Sequence, residues 1–155
     1  MDDDERSTFR SKKIGMIYQM PYWIKSLNVV ENVALPLIIE GVKESEAMRH
    51  AKTILTDLGI ADLAKQMPTQ LSGGQQQKAG LARALVSNPW ILMADEPTGN
   101  LDSKSGDEIM EIFRELNKKH KRTILMVTHN EQYFNYGTRK IEMKDGEIIK
   151  DSKNG

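Results

Sequence analysis

The residues best equipped for chemistry lie in two stretches, Trp90 to Asp102 (WILMADEPTGNLD) and Leu71 to Gln77 (LSGGQQQ). In the first, the apolar residues Trp90 to Ala94 run straight into two adjacent carboxylates, Asp95 and Glu96, and Pro97 stops the run. A segment apolar at every position suits a strand covered on both faces, as in a parallel sheet, where ligands bind beyond the carboxyl ends of the strands. Successive strand side chains point to opposite faces, so the two acids can divide the work, one holding a metal and the other orienting a water. An isolated Asp-Glu-Pro serves equally well as a solvated acidic turn.

Two further apolar runs bear on that alternative. Lys13 to Tyr18 (KIGMIY) leads into Gln19, and Thr123 to Thr128 (TILMVT) leads into His129. If all of these are parallel strands, Gln19, Asp95, Glu96 and His129 converge on one sheet edge. A histidine in that position is by itself an ordinary hydrogen-bonded residue, and a lone glutamine says nothing; their co-occurrence is the signal. In LSGGQQQ, Ser72 and Gln75 match a capping box, followed by Ala79, Leu81, Ala82, Leu85 and Val86 at helical spacing. Gly73 and Gly74 then occupy the first helical positions, where each costs up to roughly 1 kcal/mol relative to Ala and capping requires neither. A helix start with bare N–H groups and room for close approach suits an anion, phosphate above all. A merely well-capped helix is the competing reading.

The elements that must position these residues alternate between strand and helix, the pattern of a parallel sheet with crossovers. Met1 to Lys13, with the acidic run Asp2 to Glu5, reads as a frayed helix or tail, and Lys13 to Gln19 as the first strand. Asn28 and Glu31 open a helix carrying Val29, Val30, Val33, Ala34, Leu37 and Ile38, with Pro36 expected to bend it. Ser45 to Leu58 forms a second helix stopped by Gly59, and Met67–Pro68 turn the chain into LSGGQQQ. After Asp102 or Ser103 as a cap comes a helix with Ile109, Met110, Ile112, Phe113 and Leu116 buried. Past His129 a short aromatic helix surrounds Tyr133 and Phe134, and Arg139–Met143 with Glu147–Lys150 make a hairpin around Asp145–Gly146.

Bulk properties narrow the possible functions. With 155 residues the chain has one domain's length. Lys plus Arg and Asp plus Glu number 22 each, so no basic footprint for nucleic acid exists. Cysteine is absent, which excludes a disulfide framework, and no apolar run is long enough to span a bilayer. Any role at a membrane is therefore expected to come through a partner.

Together these residues resemble the nucleotide-binding domain of ATP-binding cassette (ABC) transporters, closest to the lipoprotein-release and macrolide-exporter type. The matching pieces are the Q-loop at Gln19, the signature LSGGQ at Leu71 to Gln75, the Walker B segment Ile91 to Glu96, the D-loop Asn100 to Asp102 and the H-loop at His129. Lys78, Ala79 and Gly80 depart from the more usual Arg, branched apolar residue and Ala or Ser. No G-x-x-x-x-G-K followed by Ser or Thr occurs, so the phosphate-cradling Walker A loop, which lies before the Q-loop in the family, is missing. The chain is expected to be the C-terminal portion of such a domain. The resemblance implies an α/β fold: a P-loop NTPase-like, mostly parallel sheet with crossover helices, an α-helical subdomain, and a C-terminal β-hairpin. Within a partial domain spanning residues 1–155, residues 20–88 would approximate the helical subdomain, and residues 11–19 and 89–155 the catalytic core.

The resemblance further implies ATP and Mg²⁺ as ligands, a transmembrane permease as partner, and a second nucleotide-binding domain arranged head to tail. Ser72, Gly73, Gly74 and Gln75 would grip the γ-phosphate of a nucleotide held by that second domain. Asp95 and Gln19 would hold Mg²⁺, Glu96 would polarise the attacking water, His129 would contact the γ-phosphate, and Asp102 would link the two sites. Tyr22, Trp23 and Ile24 would include the surface that docks on the permease. The protein would work in the cytoplasm on the inner face of the membrane, energising export, and this chain alone would be inactive. The alternatives are a non-hydrolytic remnant that binds a partner, and a soluble ABC ATPase of translation or chromosome maintenance.

Overall fold

The computed structural model describes residues 2–154; Met1, the first residue of the expected N-terminal tail, lies outside the described residues, as does Gly155. The remainder of that tail is helix α1 (Asp3–Lys13), begun by a capping box in which the Asp2 side chain accepts from the Glu5 N–H at 2.8 Å. Of the two expected readings the helix is the one found, with Asp2 and Glu5 closing the cap. Strand β1 (Ile14–Ile17) follows, then α2 (Val29–Ile39), α3 (Glu44–Asp57) and α4 (Gly73–Leu85). Strand β2 (Ile91–Asp95), helix α5 (Ser103–Lys118) and strand β3 (Thr123–Val127) complete the central layer, and β4 (Arg139–Lys144) with β5 (Glu147–Lys153) form the hairpin. Pro36 lies inside α2, whose Asn28 cap accepts from the Glu31 N–H.

The sheet has the order β1-β2-β3 and is parallel throughout, with Ile17 beside Ala94 and Ala94 beside Met126. One face carries Gly15, Ile17, Leu92 and Ala94, all buried, and packs on Leu81, Leu85, Ile109, Met110 and Phe113 of α4 and α5. Gly15 makes this close layering possible: a Cβ there would stand 2.4 Å from the Ala84 carbonyl oxygen. A second core lies chiefly among the helices and joins Val29, Val33, Ala34, Ala47, Ala51 and Leu55 to Ala79 and Ala82. Helix α4 contributes to both cores.

The other sheet face departs from the expectation that both sides are covered. Met16 alternates with buried residues, and Leu125 and Val127 with the half-buried Ile124 and Met126; the three are 38%, 51% and 59% exposed. Trp90, expected within the buried strand, precedes it and is 61% exposed. An apolar residue at every position shows what a strand can tolerate, and not that a covering layer is present. The hairpin turns through Asp145 (φ 51°) and Gly146 (φ 85°), the left-handed pair that a two-residue turn requires. It forms a separate sheet and presents Met143, Ile148 and Ile149 to solvent.

The two faces of the sheet should respond differently to truncation. Leu92→Ala, on the covered face, should cost about 2–5 kcal/mol in a urea titration. Replacing Met16 and Leu125 together by Thr should cost under about 1 kcal/mol and reduce binding of an apolar dye. Equal costs for the two changes would contradict the one-sided packing.

Candidate functional site

The carboxyl edge of the sheet is organised by the residue that follows β2. Glu96 sits at φ 45°, a left-handed conformation that costs of order 1 kcal/mol or more for a non-glycine residue. Its N–H donates to the Val127 carbonyl at 2.9 Å and its own carbonyl accepts from Gly99 N–H at 3.0 Å, so the strand ends in a tight turn. The direction of the Glu96 side chain is therefore set by this turn, and not by the strand alternation from which opposite faces for Asp95 and Glu96 were expected. One carboxylate oxygen accepts from the His129 backbone N–H at 2.9 Å and lies 2.8 Å from His129 Nδ1. The other accepts from the Thr128 hydroxyl at 3.2 Å. The Glu96 side chain is only 20% exposed, whereas that of His129 is 84% exposed. The end of β3 thus grips the acid with three groups while the imidazole remains open to solvent.

Gln19 reaches the same edge by another contact. Its Nε2 donates to Asn100 Oδ1 at 3.3 Å and lies over Gly99, where an added Cβ would stand 2.7 Å away. Gln19, Glu96 and His129 are thereby brought to one edge, with the Pro97–Asn100 turn between the first two. Asp95, the last residue of β2, is exposed. Among residues that the sequence did not single out, Thr128 bonds Glu96 directly. Tyr133 holds the segment after His129 by placing its hydroxyl where a Cβ on Gly106 would be only 2.5 Å away. Burial, and next the Asp107 carboxylate, push the Tyr133 hydroxyl above its ordinary pKa.

The start of α4 stands against the same turn. Ser72 Oγ accepts from the Gln75 N–H at 3.3 Å, and the Gln75 side chain accepts from the Ser72 N–H at 2.9 Å. The two glycines differ in what surrounds them. A Cβ on Gly74 would stand 2.8 Å from Ser105 Oγ, so the chain itself requires this glycine for the close approach of α4 and α5. A Cβ on Gly73 would meet only ordinary contacts at 3.6 Å, and Gly73 is exposed. Asp102 caps α5 by accepting from both the N–H and the hydroxyl of Ser105, at 3.0 and 2.8 Å, and these bonds hold its carboxyl below the usual range. One serine therefore connects the Asp102 cap to the Gly74 backbone.

Comparison with known proteins decides the family. The family described as ABC transporter matches residues 1–99. The macrolide export ATP-binding/permease protein MacB of Aggregatibacter actinomycetemcomitans is 46% identical over 99% of this chain and 24% of that protein. The lipoprotein-releasing system ATP-binding protein LolD of Geobacter metallireducens is 40% identical over 97% of this chain and 67% of that protein. The chain belongs to the ABC transporter family. It spans between about a quarter and two thirds of the length of these relatives. The fold is that of an ABC cassette: a dimeric post-hydrolysis structure of the cassette MJ0796 bound to ADP and Pi matches with a TM-score of 0.87 at 40% identity, over 100% of this chain and 68% of that one.

For an ABC cassette the metal question is whether the residues suit Mg²⁺. Among the described residues no group of three or more His, Asp or Glu side chains could hold a metal ion unaided. Mg²⁺ is ordinarily held by one or two carboxylates together with substrate phosphates and water, and the exposed Asp95 carboxylate and the Gln19 amide oxygen would be donors of the type it takes. The unequal surroundings of the glycines lead to a stability test. Gly73→Ala should be neutral or stabilising by up to about 1 kcal/mol, the helix-propensity gain. Gly74→Ala should be the less stable of the two by about 1–2 kcal/mol because Ser105 must move, as read from urea midpoints.

Proposed function

We propose that this chain forms the signature and Walker B portion of an ATP-hydrolysing cassette that drives transport through a permease. The observation that carries the reading is the Glu96 carboxylate, held by Thr128 and His129 on the edge that also bears Gln19. Such a carboxylate is desolvated, oriented and adjacent to an imidazole that can turn outward. Glu96 would take the proton from the attacking water, and His129, the more exposed of the pair, would turn to the γ-phosphate. Asp95 and Gln19 would hold Mg²⁺, which supplies charge neutralisation on the phosphates when bound. Positioning and charge stabilisation carry the rate in phosphoryl transfer, because little covalent chemistry is asked of the protein.

Ser72, Gly73, Gly74 and Gln75 would meet the γ-phosphate of a nucleotide held by a second cassette packed head to tail. In this reading only the Gly73 side of the helix start is free for that approach, since Gly74 faces Ser105. Asp102 would act across the dimer through the α5 start that it caps. Residues 20–88 would form the helical subdomain and residues 11–19 and 89–155 the catalytic core, a division supported by the apolar cluster that joins α2 and α3, with α4 as the element shared by both cores. No helix among the described residues is long and apolar enough to cross a membrane. The permease would be a partner on whose cytoplasmic face this chain sits. Tyr22 and Ile24, 75% and 44% exposed, suit the docking contact, whereas Trp23 is half-buried with its indole N–H bonded to Gln76. Export is the expected direction, by similarity to MacB and LolD.

Two measurements test this. A fluorescent ATP analogue should show no tight Mg²⁺-dependent binding to the 155-residue chain, which has no Walker A lysine. A micromolar dissociation constant would overturn that expectation. In a complete cassette, Glu96→Gln should slow hydrolysis by about a hundredfold or more and accumulate a nucleotide-bound dimer, and unchanged turnover would remove Glu96 from the role of base.

A further inference from the structure

The segment Tyr18–Ile24 leaves the sheet and runs along one stripe of α4, where it is fixed at successive positions. Gln77, 2% exposed, donates from Nε2 to the Tyr18 carbonyl at 3.0 Å. The Pro21 ring lies in the notch left by Gly80, where a Cβ would stand 3.0 Å from Pro21 Cγ. Arg83 donates to the Tyr22 carbonyl and places its guanidinium 4.8 Å from the centre of the Trp23 ring. Residues 76, 77, 80 and 83 share a helix face with residue 73 by their spacing, so the stripe ends beside the exposed Gly73. Gly80 would weaken an isolated helix, and here its missing side chain is what admits the proline.

We propose that Arg83, seated beside the Gly80 notch, is a positioning residue that fastens the Tyr18–Ile24 segment to α4, so that the exposed Tyr22 surface and the Ser72–Gln75 amide end are carried as one rigid piece. What each end binds rests on the function proposed above, but the mechanical union does not. Arg83 is suited to this because one rigid, planar cation donates to a carbonyl while it lies over an aromatic ring. A lysine is a compact charge on a flexible stem and holds two such contacts in a less fixed geometry. Desolvation lowers the Arg83 pKa, consistent with a cation seated inside the contact and not at its rim.

The test is site-resolved amide hydrogen exchange on the full chain with Arg83→Lys, which keeps the charge. Exchange should accelerate by about tenfold or more at Ile24, whose N–H donates to Asn32 Oδ1, and at Gln75 and Gln76, whose N–H groups donate to Ser72. The amides of β2 and α5 should change by less than about twofold. Gly80→Ala, which displaces Pro21 while leaving Arg83 in place, should give the same pattern at smaller amplitude. Acceleration at Ile24 without any at Gln75 and Gln76 would sever the union and overturn the proposal. Uniform acceleration across the chain would do so as well, by showing a role in overall stability only. Neither measurement involves nucleotide, so the outcome is independent of whether the ATP reading stands.

Discussion

The contact on which the site depends is the grip of Thr128 and His129 on the Glu96 carboxylate. A glutamate in the left-handed region is unfavourable by itself, and it persists only where its surroundings over-determine it. Here the backbone N–H is tied to Val127 and the side chain to the two residues that follow β3. The strained residue thereby joins the ends of β2 and β3. The turn that it opens brings Gly99 and Asn100 under Gln19, so the end of β1 is drawn in as well. The strand ends are thus linked through one carboxylate and the turn beside it.

Helix α4 stands in a comparable position on the larger scale. Its apolar residues divide between the helical core and the sheet core, with Ala79 and Ala82 in the first and Leu81 and Leu85 in the second. Its first turn meets the start of α5 through Gly74 and Ser105, and its outer stripe carries the Tyr18–Ile24 segment. Small residues at three places, Gly74, Gly80 and Gly15, set how closely the neighbours approach it. The packing of this helix is therefore governed by where side chains are absent as much as by where they are large.

Much of this was legible in the residues. The apolar runs ending in Gln19, Asp95 and His129 are parallel strands with a common edge, because hydrophobic runs bounded by turns report strands well. Caps at Asn28, Ser72 and Asp102 stand where short polar residues precede apolar periodicity. Three features were not legible, each because it depends on tertiary neighbours. The reason for Gly80 lies in Pro21, far away in sequence, and part of the reason for Gly74 lies in Ser105. The aim of Glu96 follows from a turn dihedral and not from strand alternation. The bare face of the sheet carries the same residue types as a covered one, so composition could not reveal it.

That bare face has a consequence for what the word stability means here. A parallel layer clothed on one side leaves free energy unclaimed, available to whatever chain next lies down on Met16, Leu125 and Val127. The robustness of the molecule is then set by the company it keeps. A neighbour that covered these side chains would raise the apparent stability of the same residues by mass action.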